Sequence, residues 1–300
     1  MPKLPTSAYA VLLRQNGMRT PPSTATRLVM DALCCRIRAV IMRPTRCDAR
    51  PARRPTFKVP LSMPYVFDTA RLSEIAATQA QAFREAQPYP HIVIDGFLPD
   101  AVARELAAVF PGPDDDVAWD HYAAPGLEVK LGCGDEMKFP KSIRDALRDM
   151  NSSAFVRILE TLTGVQHLLT DPHLLGGGMH LTRHGGVLGV HADFNWHRQI
   201  HAHRRLNLLL YLTPDWRPEY GGELELWSTD GTQLVRRVEP LFNRAVLFTT
   251  RSDTFHGHPN PWAAPNGINR QSLALYYYTT ERPEDEKRPA HNTLYKGYNV

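Results

Sequence analysis

Hydrophobic positions follow one period in the middle of the chain and another in its last third. From Thr69 to Ala86, apolar and small residues recur at helical spacing with no Gly or Pro between them, which predicts a helix. PHIVIDGFL (90–98) follows, with Ile92 and Ile94 two apart, a short strand. Asp100–Phe110 reads as a second helix, stopped by Pro-Gly-Pro. Residues 111–140 are rich in Gly, Pro and Asp and are expected to be irregular. Two more helices are predicted over Lys141–Met150 and Ser152–Leu162. In the second, Phe155, Ile158, Leu159 and Leu162 share a face, and Gly164 is a natural stop. Beyond about residue 170 the period becomes two. GMHLTR, GVLGVHADF, RRLNLLLYLT, GGELELW, QLVRRVEP, RAVLFTT, DTFHGHP and RQSLALYYYTT are short, rich in β-formers and separated by turn residues, with no sequence repeat. Many short strands at close spacing predict an all-β sandwich or barrel. The expected class is therefore α+β. A helical part over 63–165 packs outside a β core over 170–283, and 284–300 is a C-terminal tail.

The first 62 residues show neither period, apart from a short apolar piece near Leu28–Met42. They hold 12 Lys and Arg, ten of them Arg, against two acids, Asp31 and Asp48. Such a segment cannot easily bury a core. A targeting peptide would share the arginines but show a clearer amphipathic helix, and a functional basic tail is the other alternative. The preferred reading is a non-folding basic extension, including the case of a start codon assigned upstream, with Met63 the natural beginning of the domain.

Charge and cysteine content sharpen this division. The formal net charge of +4 averages that +10 segment with a remainder of 23 basic and 29 acidic side chains, −6. No nucleic-acid partner is expected for the main domain. Three of four cysteines lie in the basic segment, leaving Cys133, so no disulfide framework exists beyond it and a reducing, cytoplasmic setting is expected. Apolar content of 43% and charged content of 22% are ordinary for a globular protein, and no apolar run approaches membrane length. Oligomeric state is not legible.

Candidate chemistry begins in VHADFN (190–195). In a strand, His191 and Asp193 point to the same face, so an imidazole nitrogen and a carboxylate oxygen can meet one ion. H-x-D alone is a weak signal. It gains weight from TFHGHP, where His256 and His258 stand on a later strand. Two histidines and a carboxylate on one face form the facial triad that suits non-haem Fe(II). Arg270 begins a very apolar strand, where an arginine needs an anion, and a carboxylate ligand supplies one. Asn207, Leu209 and Tyr211 share a face of RRLNLLLYLT, so the Tyr211 phenol can serve the same anion. His256 and His258 are both candidate ligands at this point.

The combination GGVLGVHAD (185–193), RLNLLLYL (205–212), GGEL (221–224), FHGHP (255–259) and RQSLALYYY (270–278) resembles the Fe(II)/2-oxoglutarate dioxygenases. Within them it is similar to the prolyl-4-hydroxylase-like branch and to bacterial relatives of ribosomal-protein and EGL-nine prolyl hydroxylases. The resemblance covers roughly 85–283. It implies a double-stranded β-helix, the cupin-like jelly roll, flanked by N-terminal helices. It implies Fe(II) bound by His191, Asp193 and His256, with His258 beside them. It implies 2-oxoglutarate chelating the iron and reaching Arg270, with Tyr211, Ser272 and Asn207 around it, O2 as co-substrate and ascorbate as reductant. The implied reaction hydroxylates an unactivated C–H bond, first a prolyl residue of a protein or peptide, and releases succinate and CO2. The same chemistry on a free amino acid, a natural product or a saccharide intermediate is the alternative, and a non-catalytic cupin-like binding module is a second. Because Asp193 is present, hydroxylation is implied over halogenation. This sequence departs from the family in a longer gap before Arg270, NPWAAPNGIN (260–269); the rival Arg251 precedes the distal histidine.

Other residues carry blander expectations. His197, His201 and His203 are read as a solvated loop at the site mouth, ahead of a second metal site. Either His180 or His184 can line the 2-oxoglutarate pocket, with turn packing the default. Trp216, Trp227 and Trp262 are read as core before substrate groove, and the glycines of GGEL as a tight strand entry.

Overall fold

The computed structural model describes residues 64–297, and the expectations for the basic segment lie outside the described residues. Helix α1 (Thr69–Glu85) opens at Asp68, whose carboxylate accepts from the Arg71 amide at 3.0 Å. Strand β1 (His91–Ile94) leads into α2 (Asp100–Ala108). After α3 (Lys141–Met150), α4 (Ser153–Thr163) is capped by the Ser152 hydroxyl and ends at Gly164 with φ 76°. All four helices stand within two residues of their expected bounds, because each carries a buried stripe and a terminator of its own.

The expectation of irregular chain over 111–140 is corrected. Strands β2 (Asp120–Ala124) and β3 (Glu128–Cys133) form an antiparallel hairpin there. Its turn places Pro125 and Gly126 centrally, with Gly126 at φ 77° and the Leu127 amide donating to Ala124 O at 2.9 Å. The hairpin was not legible because every residue of β2 is exposed, so no apolar alternation marks it.

The remaining strands are β4 (Leu169–Thr170), β5 (Gly178–Thr182), β6 (Leu188–Ala192), β7 (Trp196–His197), β8 (Ala202–Tyr211), β9 (Leu224–Trp227), β10 (Leu234–Val238), β11 (Arg244–Thr249), β12 (His256–His258), β13 (Arg270–Thr279) and β14 (Leu294–Tyr295). The hydrogen-bonded order is β1-β11-β8-β13-β5-β3-β6-β12-β9-β10. Every pairing is antiparallel. The sheet folds over into a nearly closed jelly-roll barrel, β3 joining the β1–β5 half to the β6–β10 half.

Alternation decides which side chains face the helices and which face the barrel interior. Leu206, Leu208 and Leu210 of β8 and Leu273, Leu275 and Tyr277 of β13 belong to the core shared with Phe67, Phe97, Ile143 and Phe155. Each such leucine contributes about 1.5–3 kcal/mol by leaving water. The intervening Asn207, Leu209 and Tyr211, and Ser272, Ala274 and Tyr276, point to the opposite face. The helices thus brace one face of the sheet and leave the other for chemistry. Among the described residues no helix is long and apolar enough to cross a membrane.

The expected boundary at 283 is also corrected. Tail residues Leu294 and Tyr295 form β14, paired with Ala192 and His191 of β6. A two-residue strand gives too short an alternation to stand out in sequence.

The two ends of the sheet order meet through a histidine. Buried His91 on β1 donates from Nδ1 to Tyr89 O at 2.8 Å, and its Nε2 accepts from Arg236 Nη1 of β10 at 2.6 Å. Burial, with Arg236 adding to it, holds the imidazole pKa below its usual value. The unfolded chain therefore takes up this proton first. The stabilisation is complete above the unfolded pKa of about 6.5 and is lost as pH falls below it. Thermal unfolding followed from about pH 7.5 to about pH 5 is expected to show a falling Tm, with a shallower slope in His91→Gln. Equal slopes would mean that His91 does not bear this linkage.

Candidate metal centre and its cavity

β6 and β12 lie side by side, with His191 opposite His256 and the two rings 4.4 Å apart. Only glycine fits between the histidines of β12. A Cβ on Gly257 would stand 2.7 Å from the carbonyl oxygens of Leu188 and Gly189. This close approach brings His191, His256 and Asp193, one residue past the end of β6, together with one donor atom each inside 4.8 Å. All three are buried, between 3% and 8% exposed.

Their hydrogen bonds leave the right atoms free. His191 Nδ1 donates to Gly189 O at 2.8 Å, and His256 Nδ1 donates to Thr254 O at 3.1 Å. Each Nε2 then carries a lone pair. The two Nε2 atoms stand 3.5 Å and 3.6 Å from the two Asp193 oxygens, too far for a good hydrogen bond. Two imidazole nitrogens and a carboxylate that converge without bonding one another form a donor set suited to a divalent cation such as Fe(II). Burial pushes the His256 pKa down to about 4, which keeps the ring neutral despite the nearby carboxylate. His258 shares the inward face of β12 and is buried, but does not join this cluster.

Asp193 has a second set of partners that the sequence reading missed. Arg204 Nη2 lies 2.8 Å from Asp193 Oδ2, an ion pair by distance though not aligned as a hydrogen bond. Asn207 Nδ2 donates to the same oxygen at 3.3 Å. The Arg204 guanidinium, 1% exposed, is stacked between the rings of Tyr276 at 3.5 Å and Phe194 at 4.6 Å. Burial alone would raise the Asp193 pKa. Arg204, then the two histidines, outweigh it and hold the carboxyl well below the usual carboxylate range.

Strict alternation from Asn207 would place Arg205, not Arg204, on the inward face. A bulge reverses this. Leu206 pairs with Tyr277 and Arg204 with Tyr278, so Arg205 is the extra residue and Arg204 turns inward. The available signal was the buried-arginine argument already applied to Arg270: RRLNLLLYL also carries arginines into a leucine-rich strand.

The cluster opens into a cavity of about 580 Å³. At one end Arg270, the first residue of β13, is buried. Its Nε donates to Gly222 O at 2.9 Å, and its guanidinium lies 4.8 Å from the Tyr211 ring centroid. Among the described residues no carboxylate lies within ion-pair distance of it. Ser272 pairs with Tyr211 across β13 and β8 and lines the same cavity, as does Asn207. The Tyr211 hydroxyl, Asn207 Oδ1 and His258 Nδ1 are buried without hydrogen-bond partners. A lone buried guanidinium surrounded by unpaired polar atoms fits a small anionic ligand that reaches from here to the metal cluster. The structure therefore brings together His191, Asp193, His256, Arg270, Ser272 and Asn207 around one cavity, with Tyr211 beneath Arg270. Asn207 also binds the carboxylate ligand, beyond the role expected for it.

The inserted loop NPWAAPNGIN supports Arg270 from outside. Trp262 is fully buried, its Nε1 donates to Ile268 O at 2.9 Å, and its backbone exchanges hydrogen bonds with Gly185 and Gly186. Gly222 has φ 70°, and a Cβ there would meet Trp262 at 2.7 Å and Arg270 Cδ at 3.1 Å. The GG pair is thus the seat of Arg270 as well as a strand entry. Arg251 pairs with Asp253 at 2.9 Å and does not line the cavity.

Among the remaining histidines, His180 lines the cavity near Arg270 while His184 bonds to Ala264 O. The reading of His197 as solvated is corrected. It is fully buried, with Nδ1 accepting from the Gln199 and Ile200 amides and Nε2 3.3 Å from Asp171. His201 is exposed, in the turn between β7 and β8, whereas His203 is half-buried within β8 and pairs with Trp196, so the loop reading is corrected for it as well.

Residues 178–278 match the 2OG-Fe(II) oxygenase superfamily. A curated relative, mouse (Mus musculus) prolyl 3-hydroxylase OGFOD1, is 37% identical over 57 residues, 18% of this chain and 10% of that protein. The chain thus spans about a tenth of the length of the relative it matches. A Trichoplax adhaerens prolyl hydroxylase in complex with a hypoxia-inducible-factor peptide fragment shares 19% identity, over 70% of this chain and 90% of that one, with a TM-score of 0.48. A Pseudomonas putida prolyl-4-hydroxylase shares 18%, over 68% and 99%, with a TM-score of 0.47. HygX from Streptomyces hygroscopicus, with nickel, 2-oxoglutarate and hygromycin B bound, shares 13%, over 68% and 92%, with a TM-score of 0.44.

Two substitutions test this geometry. Arg204→Leu leaves Asp193 buried without its guanidinium and is expected to cost about 3–5 kcal/mol of stability in the metal-free protein. Added Mn(II) should recover part of that loss by supplying the missing positive charge; an unchanged metal-free Tm would show the pair to be dispensable. Gly222→Ala is expected to lose about 1–3 kcal/mol through strain at a left-handed position and contact with Trp262, and denaturant unfolding measures it.

Proposed function

With residues 178–278 a 2OG-Fe(II) oxygenase domain, we propose that this chain hydroxylates an unactivated C–H bond, and that the bond belongs to a prolyl residue of a protein or peptide. The observation that carries the reading is the buried triad of His191, Asp193 and His256 at one side of a cavity whose far end holds the unpaired Arg270. His191 and His256 would ligate Fe(II) through Nε2 and Asp193 through a carboxylate oxygen, leaving further coordination positions open. Iron bound there with 2-oxoglutarate and O2 supplies oxidative decarboxylation to succinate and CO2, coupled to hydroxylation of the substrate.

The chain's own residues orient and exclude. Arg270, on its Gly222 seat, receives the distal carboxylate of 2-oxoglutarate, and Ser272 and the unpaired Tyr211 hydroxyl can complete its hydrogen bonds. Arg204 and Asn207 keep Asp193 ionised and fix its orientation. Leu188, Leu209 and Leu224 line the cavity and limit water. Tyr122, Phe194, Trp196 and Tyr295 also line the cavity, an aromatic surround that favours a compact, uncharged ring such as proline. The curated relative bears a prolyl-hydroxylase name, which supports the same substrate class over the 57 residues matched.

The test is succinate release from 2-oxoglutarate under Fe(II), O2 and ascorbate, with prolyl peptides, free amino acids and saccharides as substrates. The expected result is turnover stimulated by a prolyl peptide, which gains one oxygen atom. Stimulation by the small molecules alone would reject the peptide assignment, and neither Fe(II) binding nor succinate would reject the enzyme. His191→Ala and His256→Ala are expected to lose Fe(II), whereas His258→Ala retains it. Equal loss from His256→Ala and His258→Ala would overturn the ligand assignment. Arg270→Leu is expected to raise the KM for 2-oxoglutarate by roughly 30-fold or more, as for loss of one partner of a buried charged pair.

A further inference from the structure

The C-terminal segment approaches the metal cluster more closely than its place in the sequence suggests. β14 pairs with β6 at the two positions Ala192 and His191, and the Lys296 amide donates to Val190 O at 2.8 Å. The segment thereby covers the edge of the strand that carries the H-x-D pair. Asn195, two residues past Asp193 and 4% exposed, clamps it from the other side. Its Nδ2 donates to Pro289 O at 2.8 Å, its Oδ1 accepts from the His291 amide at 2.9 Å, and its own amide donates to His291 O at 3.4 Å. Lys296 Nζ lies 4.4 Å from the Trp227 ring centroid and fixes the far end.

Tyr295 turns this anchored segment into part of the site. Its ring centroid is 5.5 Å from that of His191, and its hydroxyl donates to Glu128 Oε2 at 2.8 Å. Glu128 belongs to β3, and its other oxygen is 3.0 Å from Lys130 Nζ. One tyrosine therefore links the C-terminal segment to the β2–β3 hairpin across the flank of the metal cluster. Tyr295, Asn292 and Thr293 line the cavity with Glu128 and Lys130. The acid and the base neutralise each other, so this wall offers an aromatic ring and small polar groups with no net charge.

We propose that residues 289–297 form a wall of the substrate cavity and that Tyr295 is a specificity-determining residue, selecting substrates narrow and uncharged at the reacting end. This rests on the proposed oxygenase reading for the identity of the substrate, but not for the existence of the wall. Tyr295 makes its ring contact with His191 and its hydrogen bond with Glu128, not with Arg270, so the wall is expected to act on the hydroxylated substrate rather than on 2-oxoglutarate.

The experiment compares the full chain with Tyr295→Ala, Tyr295→Phe and Asn195→Ala, and uses two readouts. The first is the rate at which 2,2′-bipyridine strips Fe(II) from the loaded protein, a measure of access to the cluster that needs no substrate. Tyr295→Ala and Asn195→Ala should speed stripping at least tenfold. Tyr295→Phe keeps the ring and should stay within about threefold. The second readout is the KM for a prolyl peptide against the KM for 2-oxoglutarate. Tyr295→Ala should raise the first at least tenfold while moving the second less than threefold. Unchanged stripping in Tyr295→Ala, or equal changes in both KM values, would overturn the proposal. If the native chain turns over no prolyl peptide, the substrate assignment fails, and the stripping rates alone still decide for or against the wall.

Discussion

A carboxylate taken out of water sets the terms for this site. Asp193 is buried, and a buried carboxylate without compensation costs several kcal/mol. The fold compensates with Arg204 and Asn207 of β8 and with the imidazoles of His191 on β6 and His256 on β12. The bulge in β8 turns Arg204 inward, Tyr276 and Phe194 hold its guanidinium flat, and Gly257 lets β12 approach β6 closely enough to bring in His256. Much of the barrel's irregularity at the site is accounted for by this one charge.

A second charge, at the other end of the cavity, is left uncompensated. Arg270 is seated by a carbonyl and an aromatic face, but no carboxylate is supplied. The contrast between the two ends fits the proposed function. Where Asp193 is neutralised by the chain, a cation can still bind because the Nε2 atoms remain free. Where Arg270 is not neutralised, an anion has reason to enter. The Tyr211 hydroxyl, Asn207 Oδ1 and His258 Nδ1 are likewise buried without partners. The helices take no direct part. They brace the opposite face through Leu206, Leu208, Leu273 and Leu275, so both charges are held on a rigid sheet.

How much of this was legible depended on whether a feature is local. The helices were, because each has its own buried stripe and terminator. Most strands were, because short runs rich in β-formers are separated by turn residues. The β2–β3 hairpin and β14 were not. The first shows no buried alternation, and the second has two residues that gain a partner only once β6 is in place. His197 looked like a surface histidine among others, and only the turn that carries Asp171 buries it.

By itself the sequence determined the period of every long element, the H-x-D pair, the two later histidines on one strand face and the arginine that opens the last long strand. These follow from spacing, since side chains two apart on a strand share a face whatever surrounds them. Spacing left His256 and His258 open and the family resemblance favoured His256; the tertiary structure supplied the β6–β12 register that sets His256 opposite His191 and within reach of Asp193. It also decided that Arg204 rather than Arg205 faces the carboxylate, because a bulge overrides alternation, and that Tyr295 stands beside His191, because strand pairing joins residues about a hundred positions apart. Register, bulges and edge pairing arise between segments, so no single segment's pattern contains them.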